Sequence, residues 1–407
     1  MSTGTSAGAS SASLALSNLR AVLILIVLVF HSILPYLGSL PREPYTFDAP
    51  DRRWQAFPIV DSERWFGFDL FCAWQYLSMM ALMFFLSGLF VGPSLARKGS
   101  RAFLAGRLLR IGLPLVPAIA ILTPLAYYAS YRATAADPSF ANFWQDWQAL
   151  PFWPPGPQWF LVLLLAFNLL AVAIHAFAPR LRDRLLRAAA AVVTRPVRFF
   201  AALVAISAIA YIPLALVFSP WSWTNFGPVA FETTRVVLYL VYFFAGYAVG
   251  ACGLDRGLLA CDGALARNWA RWLGAAVLGF GLWAGSSALT LGDWSDIPLA
   301  IRLLAAVALV LGCASGCMFA LAMCLRFGRR RRAAFDSLSA NAYGIYLLHY
   351  VPVVWLQFAL LGAALPAIAK GGIVFVAALL ITWPLAAAFG SLSLGQRPIG
   401  VKRVRSA

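Results

Sequence analysis

Two ionisable residues inside one apolar run are the first candidates for chemistry. Arg20 and His31 bound the stretch RAVLILIVLVFH, with His31 eleven residues after Arg20. On a helix, eleven steps of about 100° return a side chain to nearly the same face, about 16 Å further along the axis. That is near half of a bilayer core about 30 Å thick. An ionisable group held at such depth marks a functional candidate, because lipid cannot solvate it. A guanidinium offers a fork of donors to a phosphate or carboxylate, and a neutral imidazole can take a proton. The alternative for the pair is structural. Arg20 then snorkels to the interface, and His31 hydrogen-bonds a neighbouring helix.

The elements that must position such groups follow from composition. Of 407 residues, 62% are hydrophobic and 12% charged, whereas soluble domains carry roughly twice that charge. The mean hydropathy is +0.79. The chain is therefore expected to be an all-α polytopic membrane protein, since its apolar runs far exceed a barrel strand. About ten runs appear, near 15–37, 69–91, 108–129, 158–178, 198–218, 235–253, 270–291, 298–325, 340–361 and 371–393. Pro114, Pro117 and Pro124 predict kinks or unwound ends in the third. Residues 1–13 read as a disordered Ser/Ala/Gly/Thr tail, 14–395 as the membrane domain and 396–407 as a basic tail. No basic stretch precedes the first run, so no cleaved leader is expected.

A net charge of +17 would suggest nucleic acid in a soluble protein. Here it segregates by loop. Most Lys and Arg fall in alternate connections, among them Arg97–Arg110, Arg180–Arg198 and Arg326–Arg332. Under the positive-inside rule both termini are cytoplasmic, and no nucleic-acid partner is expected. The other connections are rich in tryptophan. These rings serve as an interfacial belt or as platforms for apolar sugar faces, and the Trp144–Trp159 segment, with four tryptophans, exceeds what anchoring needs. Five of the six cysteines lie in apolar runs without metal spacing, and buried thiols are expected rather than a metal site.

Five short stretches, in order, resemble the acyltransferase 3 family of membrane O-acyltransferases. They are Arg20-x10-His31, Phe84-Phe85-Leu86-Ser87-Gly88, Arg107-Leu108-Leu109-Arg110, Gln158-Trp159-Phe160-Leu161 and Tyr343-Gly344-Ile345-Tyr346-Leu347-Leu348-His349. The order and the Phe-Leu-Ser-Gly context look most like the branch containing the periplasmic glucan succinyltransferase. The resemblance implies transfer of an acetyl, succinyl or similar group from cytoplasmic acyl-CoA to a carbohydrate hydroxyl across the inner membrane.

Against that chemistry His31 is the expected general base and Arg20 its companion toward the donor. Arg107 and Arg110, three residues apart, suit the CoA phosphates, or else are plain positive-inside charge. Trp159, Tyr346, His349 and Ser87 are the expected substrate contacts. His349 is read either as a donor or relay to His31 or as a helix-packing histidine, and His175 as interfacial. Asp69 and Glu232 are weighed as carboxylate partners of His31 but fit surface solvation better. Arg235 and Arg302, at tryptophan-rich span ends, are weighed as contacts for an anionic acceptor or acyl carboxylate. Gly246-x-x-x-Gly250 suggests a close-packed seam. Membrane lipids and a carbohydrate or glycolipid are the expected partners. The competing function is a secondary transporter of a small anion or sugar, which kinked helices and midplane ionisable groups also suit. A flippase-like protein acting on a lipid-linked sugar differs mainly in its acceptor.

Overall fold

Apolar runs that meet no water must satisfy their amides internally, and here they do so as helices. The computed structural model describes residues 11–47, 49 and 52–392. Residues 1–10 and the basic tail lie outside them.

Helix α1, Ser11–Ile33, starts earlier than the apolar run suggested and yields to a 3-10 turn at Pro35, which has no N–H to continue it. α2 is Phe66–Gly88 and α3 is Val91–Lys98; Gly99, at φ 76°, turns the chain into α4, Ser100–Arg107. The third run then continues through a π turn at Leu108–Gly112, α5 at Leu113–Pro117, a second π turn at Ala118–Leu122 and α6 at Thr123–Thr134. The expected disruption thus takes the form of π turns. A proline removes one helical bond, and a widened turn reaches past the gap. The Thr123 hydroxyl donates to the Ala118 carbonyl at 3.1 Å, beside the bond from its own N–H.

α7, Phe140–Ala149, lies in the tryptophan-rich connection before α8, Trp159–Phe177. There follow α9 at Pro179–Val192, α10 at Pro196–Val217, a hairpin of β1 (Trp223–Phe226) and β2 (Val229–Glu232), and α11 at Val236–Cys252. The hairpin is antiparallel, with Trp223 opposite Glu232. The chain ends with α12 at Ala264–Arg267, α13 at Trp269–Ala288, α14 at Leu299–Phe327, α15 at Ala333–Leu348, α16 at Tyr350–Ala359 and α17 at Ala367–Leu392.

Helices stand at all ten apolar runs. Among the described residues, 7 spans are long and apolar enough to cross a membrane, or 8 if the pair Val236–Cys252 and Gly257–Arg267, bent by 88°, counts as one. α13 and the α15–α16 pair fall short of that measure. Large apolar side chains such as Leu109, Val116, Ile209, Leu278 and Leu380 are exposed on the outside of the bundle, where lipid is their solvent. The chain is a multi-pass membrane protein.

The main core joins α1, α2, α8, α10, α11, α14 and α15. Its tightest seam is between α2 and α11. A Cβ on Gly88 would overlap the Phe243 carbonyl, and one on Gly246 or Gly250 the carbonyls of Phe85 and Leu89. The expected Gly246–Gly250 seam is therefore real, and it explains Gly88 of the Phe-Leu-Ser-Gly stretch. A second cluster, at the tryptophan-rich end, packs Trp54, Tyr127, Phe143, Trp147 and Val354. Trp147 is 1% exposed, and the Trp153 indole donates to the Ile119 carbonyl at 2.9 Å. Much of the Trp144–Trp159 segment is thus aromatic core rather than an open platform.

Candidate active site

α1 is held in place by its few polar side chains. The Asn18 amide donates to the carbonyls of Gly328 and Arg330 at 2.7 and 3.0 Å, and Ser17 donates to Ser339 at 2.9 Å. At the other end the helix leaves carbonyls that have no intrahelical partner. Buried Gln357 of α16 supplies one, donating through Nε2 to the His31 carbonyl at 2.7 Å and the Ser32 carbonyl at 3.3 Å. The backbone of His31 is therefore fixed by a residue more than three hundred positions away.

His349 sits where the ninth run breaks. Pro352 has no N–H to return to Leu348, and the chain passes from α15 to α16 at His349 itself. The break leaves carbonyls free for side chains. Tyr346 O faces His349 Nδ1 at 2.6 Å, and Leu347 O accepts from Gln158 Nε2 at 3.1 Å. The Tyr346 hydroxyl donates to the Pro157 carbonyl and so docks the start of α8.

The two histidines meet. His349 Nε2 lies 3.3 Å from His31 Nδ1, with ring centroids 4.9 Å apart. His31 Nδ1 is also 2.9 Å from its own helix's Val27 carbonyl. These contacts fix the tautomers. A carbonyl only accepts, so His349 Nδ1 and His31 Nδ1 both carry hydrogen. His349 Nε2 then presents a lone pair to the shared His31 Nδ1–H. His31 Nε2 is left unprotonated, with no hydrogen-bond partner among the described residues. His349 is fully buried, His31 only partly. Tyr350 closes one side, 5.8 Å from His31 ring to ring.

The other expected site residues separate into two groups. Tyr346 belongs with the histidines, its ring 5.6 Å from His349. Trp159 stands one ring further out, against Tyr239 at 6.0 Å and Trp223 at 5.8 Å, and its neighbour Phe160 touches Tyr346 at 5.6 Å. Arg20 is exposed on α1, its guanidinium 5.5 Å from the Phe90 ring. Ser87 precedes Phe90 by three residues, so it shares the level of Arg20 rather than that of His31; its hydroxyl donates to Met83 O at 2.8 Å. Arg107 lies over Phe103 at 4.9 Å, and Arg110, beside it, is exposed at the arginine-rich end.

Neither carboxylate weighed for His31 is seen to touch it. Asp69 accepts from the backbone N–H of Gly38 and Ser39 at 2.6 and 3.0 Å, bracing the chain after α1. Glu232 is not solvated at all. It is buried, 3.2 Å from Arg235, and accepts from the Tyr76 hydroxyl, because a charge in that position needs a partner. His175 is in the last turn of α8 and half-buried. Gln357, Gln158 and the buried Lys370–Asp61 pair carry weight that sequence reasoning did not assign. Their one signal was a polar residue standing in or beside an apolar run.

Residues 13–387 match the family model described as an acyltransferase domain, that of acyltransferase 3. The chain belongs to this family and is a membrane acyltransferase, transferring acyl groups other than aminoacyl groups. No curated protein and no solved structure matches it.

Proposed function

We propose that the chain transfers an acyl group from cytoplasmic acyl-CoA to a carbohydrate hydroxyl on the far side of the inner membrane, with His31 as general base. The observation that carries this reading is the histidine pair, in which Val27 O and His349 Nε2 hold the Nδ1 hydrogen and leave Nε2 to act. An alcohol is a weak nucleophile. His31 Nε2 takes its proton as the oxygen attacks the thioester carbonyl. The imidazolium so formed is stabilised at Nδ1–H by both acceptors. When the C–S bond breaks, that proton passes to the leaving thiolate, giving an ester and a free thiol.

The layout suits substrates arriving from opposite ends. Arg20, Arg107 and Arg110 stand at the arginine-rich end, which the positive-inside rule puts in the cytoplasm, where a CoA polyanion needs guanidinium forks. From the level of Arg20 to that of His31 is about 16 Å along α1, a distance for an extended arm rather than a phosphate. Tyr346, His349 and Trp159 flank the acceptor's approach. Membrane lipids surround the bundle, and the acceptor is a glycan or glycolipid.

The test uses purified protein in proteoliposomes, with acetyl-CoA or succinyl-CoA and envelope glycans as acceptor, reading thiol release and glycan acylation. His31→Ala is expected to insert and fold but not transfer. Turnover at the wild-type rate would overturn the assignment. Protection of Arg107 and Arg110 from an arginine reagent by CoA supports the donor assignment, and equal modification with and without CoA refutes it.

A further inference from the structure

A second site stands at the tryptophan-rich end, and neither histidine lines it. There α2, α10, α13, α14 and the residue before α11 line a small pocket of about 30 Å³, room for one small group. Its inner wall carries two arginines. Arg235 is 2% exposed, already balanced by Glu232 at 3.2 Å, and lies 3.7 Å over the Tyr76 ring.

Arg302 is different. Its Nη1 donates to the Leu216 carbonyl at 3.0 Å, but its Nε is buried without a hydrogen-bond partner. No carboxylate pairs with it among the described residues, and Asp293 and Asp296 of the adjoining turn are exposed to solvent. Trp294 stands 5.8 Å from the same guanidinium, and its indole Nε1–H is likewise buried and unpartnered. Arg302 Nε and the Trp294 indole, like Nε and Nη2 of Arg235, are thus buried nitrogens without a hydrogen-bond partner on residues that line the pocket. Burying such donors costs stability unless something accepts from them.

The walls are flat rings. Trp283 lies 6.0 Å from Tyr76 inside the pocket. At the mouth Trp221 stacks on Tyr76 at 5.6 Å and 22°, and is 67% exposed. Arginines beside a largely exposed indole match an anionic group carried on a ring with an apolar side.

We propose that this pocket binds an acidic saccharide, with Arg302 and Trp294 holding its carboxylate or phosphate and Trp221 stacking on its ring. A phospholipid headgroup brings the same oxyanion without a pyranose face, and Trp221 favours the sugar. The inference is independent of acyl transfer, since its test reads binding alone.

The experiment is calorimetric titration of the full chain in phosphatidylcholine nanodiscs with glucuronate and with glucose. Saturable binding of glucuronate is expected, with none of glucose over the same range. Arg302→Gln and Trp294→Phe, which delete the cation and the indole N–H, should each weaken glucuronate about tenfold or more, charge-assisted bonds being the strong ones. Trp221→Ala should weaken it as well. Equal binding of glucose, no binding to the wild type, or undiminished affinity in both Arg302→Gln and Trp294→Phe overturns the proposal. So does loss of glucuronate binding when phosphatidylglycerol replaces phosphatidylcholine, which would make the lipid phosphate the resident ligand.

Discussion

An imidazole serves as a base only if its hydrogen is committed to the other nitrogen. In His31 the commitment is made twice, by Val27 O at 2.9 Å and by His349 Nε2 at 3.3 Å. His31→Ala should therefore lower transfer by about 10²–10⁴-fold, the usual contribution of a positioned base, in a rate assay normalised to folded protein. His349→Ala removes one of two acceptors, and its loss should be smaller, with KM for the acyl donor unchanged. Gln357→Leu is expected to act through stability. It leaves the carbonyls of His31 and Ser32 without their donor, at about 1–3 kcal/mol, read as a lowered unfolding midpoint. His31 and Arg20 were legible in the sequence because polar residues in an apolar run announce themselves. A relay from His349 to His31 was one of two readings open for His349, and spacing could not decide between it and helix packing, because contacts made across a bundle leave no trace there.

Helices were legible to the same degree as their apolar runs. The breaks within them were less so. Three prolines pointed to disruption of the third span, but whether a helix kinks or widens into a π turn depends on what packs around it. Pro352 marks the interruption at His349, yet a proline early in a helix is equally at home in a fresh start. Two contacts between elements lend themselves to direct test. Gly246→Leu places a side chain where the Phe85 carbonyl already stands, and should abolish α2–α11 packing, read as failure to yield monodisperse protein in detergent. Lys370 and Asp61 form a buried pair at 2.8 Å that straps the chain after α1 to α17, with side chains 1% and 0% exposed. Lys370→Met strands a buried carboxylate and should cost about 3–5 kcal/mol, whereas Lys370→Met with Asp61→Leu should recover most of it. Thermal unfolding of the single and double variants distinguishes the two.

At the scale of the whole molecule, charge and aromatic content divide the bundle into unlike ends. Most arginines gather at one end with the start of α1, and most tryptophans at the other with the hairpin, α7 and the loop after α1. Reporter fusions at the two termini test the orientation, with both expected in the cytoplasm. The division was plain from composition. That much of the tryptophan-rich segment folds into a core of its own was not, since stacking on protein and stacking on sugar demand the same residues. Membership of the acyltransferase 3 family fixes the class of reaction. The proposed mechanism requires a path from the arginines to His31, and the product formed is its most direct witness. Mass spectrometry of envelope glycans should be run on cells with the wild-type chain, the His31→Ala chain at equal membrane abundance, and no chain. An added acyl mass on a glycan hydroxyl is expected with the wild type alone; the same mass at the same level with His31→Ala would rule out His31 as the base.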